Sequence, residues 1–280
     1  MNNLETTFAG AYTVWYRDVL SLLTDRARIF GSLFMTAVML VGMGFGLGSL
    51  IGKVGGAGGG AAAALGHAAS SSGVPFVTFL FPAVLGMVVL NMSLSSTMSM
   101  VYDREFGFMK KILVAPVSRT SVALGKVAGG VTVSLIQSLI VLIAAPFLGV
   151  HLTLVSAVLT LLVLAVLSAT ITSLGVLTAS RQASQQGFQL INMIVMMPIM
   201  LLTFGSFLPS FGSGLADTAF KWASLLNPAS YGIDALRQVL LGAAMPASLA
   251  LHPIVLDVAV MAVLFVLFLV PGVKLFAKQD

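Results

Sequence analysis

Six stretches of about twenty apolar residues, separated by shorter polar segments, leave this chain few ways to fold. They lie at 29–51, 76–100, 121–148, 152–179, 187–208 and 253–273. Twenty helical residues cover the ~30 Å hydrocarbon core of a bilayer. Lipid offers the backbone no hydrogen-bond partner, so each crossing must bond within itself, as a helix does. Composition excludes the soluble alternative. The chain is 58% hydrophobic and 8% charged, whereas soluble domains run near roughly one quarter charged. The reading is an all-α integral membrane protein with six transmembrane helices.

The charges between the stretches orient it. With the N-terminus placed in the cytoplasm, inside segments hold eleven Lys and Arg residues and outside segments hold three, namely Lys53, Lys221 and Arg237. Positive charge is retained on the cytoplasmic side, so both termini are expected inside. The net charge of +5 then records topology and contact with anionic lipid headgroups, and no nucleic-acid partner is expected. The chain has no Cys, which excludes disulfides, thiolate metal sites and cysteine nucleophiles. Glu5, Arg17, Asp18, Asp25, Arg26 and Arg28 precede the first long apolar run, unlike a cleavable leader. The first span is expected to act as its own insertion signal.

Residues 1–28 form no span. Phe8, Tyr12, Trp15, Val19, Leu22 and Leu23 recur at helical spacing with charges between them. This reads as an amphipathic helix, either in the membrane interface with Trp15 and Tyr16 at headgroup level or free in the cytoplasm. Residues 52–74 are Gly-, Ala- and Ser-rich and read as a linker, with His67 a solvated residue. Region 209–251 suits two short helices, placed at 209–240, lying on the outer surface or dipping into the membrane. In the first span, Gly42, Gly44, Gly46, Gly48 and Gly52 have the spacing of close helix packing. Pro82, Pro146 and Pro198 are candidate kinks.

Seven charges gather between Asp103 and Lys126, in otherwise apolar surroundings. On a helix over 103–115, Asp103, Arg104, Lys110 and Lys111 share one face. Phe106, Phe108, Met109, Ile112 and Leu113 share the opposite arc with Glu105, and Pro116 ends the helix. Such a helix either anchors the loop at the interface or docks into a partner's groove. Glu105 favours docking, because a carboxylate on an apolar arc needs backbone amides or Arg to receive it.

Glu105-Phe106-Gly107-Phe108-Met109-Lys110-Lys111, then Pro116, Ser118-Arg119 and Gly125-Lys126, resembles the cytoplasmic signature of ABC-2-type transporter permeases. A second segment, Asn227-Pro228-Ala229-Ser230-Tyr231 through Asp234, Arg237 and Gly242, resembles the one those permeases carry before their last span. The branch it resembles is the daunorubicin-resistance type of drug and lipid exporters. The resemblance implies one half of an exporter's membrane part, in a bacterial or archaeal inner membrane. It implies pairing with a second copy or a homologue, and a separate ATPase subunit that binds the ATP and Mg. Residues 1–28 would be the connecting helix and 29–280 the transmembrane domain. Glu105, Phe106, Gly107, Phe108, Met109, Lys110, Lys111, Pro116 and Arg119 would couple to the ATPase. Asn227, Pro228, Tyr231, Asp234 and Arg237 would form an outer-gate motif.

The residues agree that this chain is not itself an enzyme. Gly125-Lys126-Val127 lacks the upstream Gly and the hydroxyl residue of a phosphate-binding loop. His67, His151 and His252 are isolated in sequence, so no metal cofactor is expected. Polar residues inside spans mark pathways or bond neighbouring helices. Asn91, Gln137, Asn192 and Met196 are the substrate-path candidates, Met196 for the adaptable Met stripe of the fifth span. No charge falls mid-span, which argues against an ion-coupled carrier. Asp234 and Arg237, three residues apart, read as pairing with each other or across a dimer, the local surface pair being the simpler of the two.

Overall fold

The computed structural model describes residues 3–42, 75–106, 118–150, 152–205, 215–242 and 251–278. Among these residues the chain is helical, with no strand. The helices are α1 (Asn3–Thr24), α2 (Arg26–Val41), α3 (Phe76–Glu105), α4 (Arg119–Ala144), α5 (Leu154–Ala179), α6 (Gln185–Gly205), α7 (Leu215–Leu225), α8 (Pro228–Leu241) and α9 (Ile254–Lys278). Five of them, α3, α4, α5, α6 and α9, are long and apolar enough to cross a membrane, and α2 is a shorter apolar helix.

Local chemistry sets the ends. Ser118 caps α4 by accepting the Ser121 amide, and Thr153 and Ser156 form a reciprocal capping box at α5. Pro146 does not kink a span. It sits in a short 3-10 turn, Ala145–Leu148, that ends α4, and Gly149 at φ 78° reverses the chain there.

α3 is the central element. Of its apolar window 78% is buried, against 11% for α9, so α3 is the post and α9 a peripheral stave. α3, α4 and α5 approach closely along a seam of small residues. Ser93 Oγ lies 3.0 Å from Ser134 Oγ and 2.9 Å from Ser168 Oγ, all buried. A Cβ on Gly130 would meet Ser96 at 2.5 Å, and one on Gly175 would meet Thr97 at 2.7 Å. Lipid gives helices no hydrophobic reason to associate, so close backbone approach and hydroxyl pairs hold this core. The glycines expected to do this in the first span lie, apart from Gly42, outside the described residues, and a Cβ on Gly42 would meet nothing within 4 Å among the described residues.

α1 is neither free nor merely afloat. It packs along α4, burying Val14 and Leu22. Trp15 Nε1 donates to Thr132 Oγ1 at 2.9 Å. Phe8, Tyr12, Tyr16 and Leu20, spaced by four residues, face outward, so the lipid-ready stripe is the face away from the bundle. Phe30, Phe34 and Met35 on α2, and Leu190, Met193, Ile194 and Met197 on α6, are likewise exposed, as a bilayer requires.

The two short helices differ: α7 keeps Trp222 and Leu225 exposed, whereas α8 is not a surface helix. α8 is buried from Pro228 through Arg237 and packs against α3, α5, α6 and α9. Asn227, at its deep end, reaches Ile199 and Thr203 of α6. Ile233 fills the space beside Gly86 of α3, where a Cβ would lie 2.5 Å from it. Gly86 is ten residues, about 15 Å, below the Phe76 end. The buried arm of this helical hairpin is α8, admissible at that depth because protein covers its backbone.

Gly125 tests the α1 packing. A Cβ there would stand 2.5 Å from the carbonyl oxygen of Ala11 and 2.9 Å from Val14 Cβ, and backbone cannot swing away. Gly125→Val is expected to cost about 1–3 kcal/mol through overpacking. It should lower the melting temperature in detergent and expose α1 to limited proteolysis, with the rest of the bundle intact.

Candidate functional site

Three consecutive charged residues end α3, and each reaches a different neighbour. Asp103 accepts from Arg17 of α1, Nη2 to Oδ2 at 2.6 Å. Arg104 Nη1 donates to the carbonyls of Ser180 at 3.1 Å and Gln182 at 3.0 Å, satisfying the C-terminal end of α5. Its guanidinium also lies 5.6 Å above the ring of Phe276 on α9. Glu105 Oε2 accepts from the Gln185 amide at the start of α6, 2.8 Å. A carboxylate at a helix N-terminus meets both free N–H groups and the positive end of the macrodipole.

α4 joins the same end through Lys126, whose side chain is 1% exposed. Its Nζ donates to Asp18 Oδ1 and to Ser99 Oγ, both at 2.7 Å. Asp18 also lies 3.9 Å from Arg17. Lys126 is therefore consumed by a structural pair and bears no likeness to a phosphate-binding lysine. This basic end draws together α1, α3, α4, α5, α6 and the last turns of α9, so α1 and the end of α9 share one side.

Of the expected coupling residues, Gly107, Phe108, Met109, Lys110, Lys111 and Pro116 lie outside the described residues, as does the side chain of Arg119. Glu105 and Phe106 are placed. Residues 103–105 belong to the last turn of α3, so a separate helix cannot begin at Asp103 as expected. Glu105 meets the amide that its position called for, supplied by its own chain. Phe106 is exposed and stacks on Tyr102, centroids 5.8 Å apart. Sequence reasoning missed Arg17, Asp18, Asp103, Arg104 and Lys126 as one network, because their partners are far apart in the chain.

The second motif builds the hairpin. Asn227 Oδ1 accepts the Ala229 amide and caps α8, while Nδ2 donates to Ile199 O at 3.0 Å and Thr203 Oγ1 at 2.9 Å. Pro228 takes the first helical position, where no N–H is needed. Tyr231 donates its hydroxyl to Leu225 O at 2.8 Å, closing the turn between α7 and α8. Asp234 and Arg237 are 1% and 0% exposed, which corrects their reading as a surface pair. A charge so placed needs company, and Asp234 accepts the amides of Leu251 and His252 at 3.0 and 3.2 Å. His252 is not isolated either, since it lies 3.7 Å from Asp257.

The substrate-path candidates are not gathered. Asn91 is exposed and bonds its own helix at Met87 O. Gln137 is buried on α4, with no hydrogen-bond partner at its side-chain oxygen or nitrogen. Asn192 and Met196 are half-buried on α6, and Met196 packs on the main core.

The sequence profile of the ABC-2 type transporter family matches residues 11–241, a stretch that contains both the basic end and the hairpin. The chain belongs to the ABC-2 type transporter family. Members are membrane transport subunits that normally work with a separate ABC ATPase and are not enzymes themselves. Two relatives named "Putative transport permease ycf38" are similar over part of their length. The one from Porphyra purpurea is 31% identical over 172 residues, 58% of this chain and 55% of the relative. The one from Cyanophora paradoxa is 30% identical over 169 residues, with 58% and 55% covered. The chain thus spans a little over half the length of the curated relatives it matches. Neither similarity singles out the daunorubicin-resistance branch. In this ABC-2 chain the charged signature and the Asn-Pro segment are two worked joints at opposite ends of one multi-pass bundle.

Lys126→Met leaves Asp18 without its main partner. Breaking a buried pair costs ~3–5 kcal/mol, and the lower end is expected because Arg17 remains 3.9 Å from Asp18. Adding Asp18→Asn should recover most of the loss, as thermal unfolding of both variants in detergent will show.

Proposed function

We propose that this chain is the permease half of an ATP-driven exporter, with the basic end facing the cytoplasm of a bacterial or archaeal cell across its inner membrane. A separate ATPase subunit, holding the ATP and Mg, engages residues 107–117, and a second copy or a homologue completes the membrane part. The observation that carries this reading is the convergence of α1, α5, α6 and α9 on the last turn of α3, directly before that segment, with α4 joined about one turn earlier through Lys126 and Ser99. Displacement of 107–117 loads Glu105 and passes to α6, through Arg104 to α5 and α9, and through Asp103 to α1. A partner's closure would move the ends of six helices together.

An amphipathic cargo, such as a drug, a lipid or a lipid-linked molecule, suits the apolar outer faces of α2 and α6. One observation favours a stand-alone ion-coupled carrier: Asp234, Arg237 and Asp257 are buried, which removes part of the sequence argument against it. Yet Asp234 is held by amides of the segment entering α9, and the middle of α3, α4 and α5 is bridged by hydroxyls. That pattern supports a jointed bundle driven from outside over an ion path.

The test is co-purification with the co-expressed ATPase, followed by ATP hydrolysis in lipid nanodiscs. Phe106→Asp, on an exposed ring beside the docking segment, is expected to reduce recovery of the ATPase at least tenfold. Glu105→Ala should retain the ATPase but lose transport, because the link to α6 is cut. Recovery of the chain without any ATPase, or normal transport by both variants, would sink the reading.

A further inference from the structure

The end of the bundle that holds the hairpin brings together three groups from two stretches of chain. Asp234 lies on α8, His252 in the segment entering α9, and Asp257 in the first turns of α9. One ligand atom from each lies within 4.8 Å of the others. Asp234 is 1% and Asp257 0% exposed.

The hydrogen bonding around them is one-sided. Asp234 Oδ2 accepts from the amides of Leu251 and His252 and from Gln238 Nε2 at 3.2 Å. Asp257 Oδ2 accepts from the same Gln238 nitrogen at 3.1 Å. Asp234 Oδ1, Asp257 Oδ1 and His252 Nδ1 are buried with no hydrogen-bond partner. His252 Nδ1 stands 3.7 Å from Asp257 Oδ1, too far for a hydrogen bond. Two ligands on one tetrahedral zinc ion stand about 3.3 Å apart, given bonds of ~2.0–2.2 Å. Leaving one buried polar atom unpaired is costly, and here three neighbouring residues each do so. Arg237, on the same helix, supplies one positive charge against two carboxylates.

We propose that Asp234, His252 and Asp257 bind a divalent transition-metal ion of the zinc class. An imidazole with two carboxylates selects such an ion over calcium or magnesium, which take oxygen ligands. The surroundings do what an outer shell does. Gln238 holds one oxygen of each carboxylate and leaves the other free, and the Tyr231 ring stacks on His252, centroids 5.4 Å apart. The His252 side chain is 26% exposed, which gives the ion an entry path. The bound ion fastens α8 to α9. The assignment does not depend on the exporter reading, and either one stands if the other fails.

The test uses the full chain, purified in detergent without a polyhistidine tag, stripped with chelator and titrated with Zn²⁺ alone and with Co²⁺ alone. One zinc per chain should survive gel filtration, and Co²⁺ should give the ligand-field absorption of a four-coordinate site. His252→Ala and Asp257→Asn are expected to weaken binding at least tenfold, and His67→Ala to leave it unchanged. Gln238→Ala should weaken it by about tenfold to a hundredfold. Zinc should raise the melting temperature of the unaltered chain and not of Asp257→Asn. Absence of both retained zinc and a cobalt spectrum in the unaltered chain overturns the proposal without recourse to any variant. It would leave His252 and Asp257 as a simple ion pair. Binding equally strong in His252→Ala and Asp257→Asn overturns it too.

Discussion

A polar group carried into lipid must find its partner within the protein, and the architecture follows from meeting that demand. Backbone groups meet it by forming helices. Side chains meet it at three levels of the bundle. Hydroxyls pair across α3, α4 and α5 in the middle. Charges pair at the basic end, and at the other end a buried hairpin spends nearly every polar atom of Asn227, Ser230 and Tyr231 on itself and α6. The apolar residues then divide without conflict: those between α3 and its neighbours fill the core, and those on α2, α6 and α9 face lipid.

The two ends are built differently. At the basic end most links are single charged side chains reaching across to a neighbouring helix, as with Arg17 to Asp103 and Lys126 to Asp18. These hold at close range but can be exchanged as helices shift. At the other end α8 is wedged where Gly86 on α3 and its own Gly232, against Leu167 on α5, leave no room for a methyl group. Packed interfaces of that kind switch between discrete arrangements and do not bend. A bundle with an exchangeable end and a wedged end is suited to carry displacement from one to the other.

The spans were legible in the sequence because length and hydropathy are local properties. The α3, α4, α5, α6 and α9 helices lie over the windows read from apolar runs. What was illegible is long-range. The apolar stripe of α1 was visible at Phe8, Tyr12 and Leu23, but the face that packs on α4 depends on Gly125 and Gly129, which carry no periodic signal. Asp234 and Arg237, three residues apart with polar neighbours, looked like an exposed pair. Only the fold shows that the partners of Asp234 are the amides of Leu251 and His252. Glu105 stands out locally as a carboxylate on an apolar arc, but the amide that receives it, from Gln185, belongs to its own chain and lies 80 residues away. Asn91, Gln137, Asn192 and Met196 stand out by residue type, and type alone does not say which way a helix turns its faces.

The hairpin also sets an order of assembly. Asp234 Oδ2 accepts from the amides of residues 251 and 252, which leave the ribosome after α8 does. Until they arrive, α8 carries a carboxylate with nowhere to put it in an apolar setting, and water is its better host. The hairpin therefore enters the bundle last, when α9 threads into the bilayer and brings the missing donors. A truncation that ends before residue 251 would leave the four long apolar helices α3 to α6 in place and the segment between them and α9 stranded at the surface, so α9 acts as the latch of biogenesis as well as a wall of the finished protein.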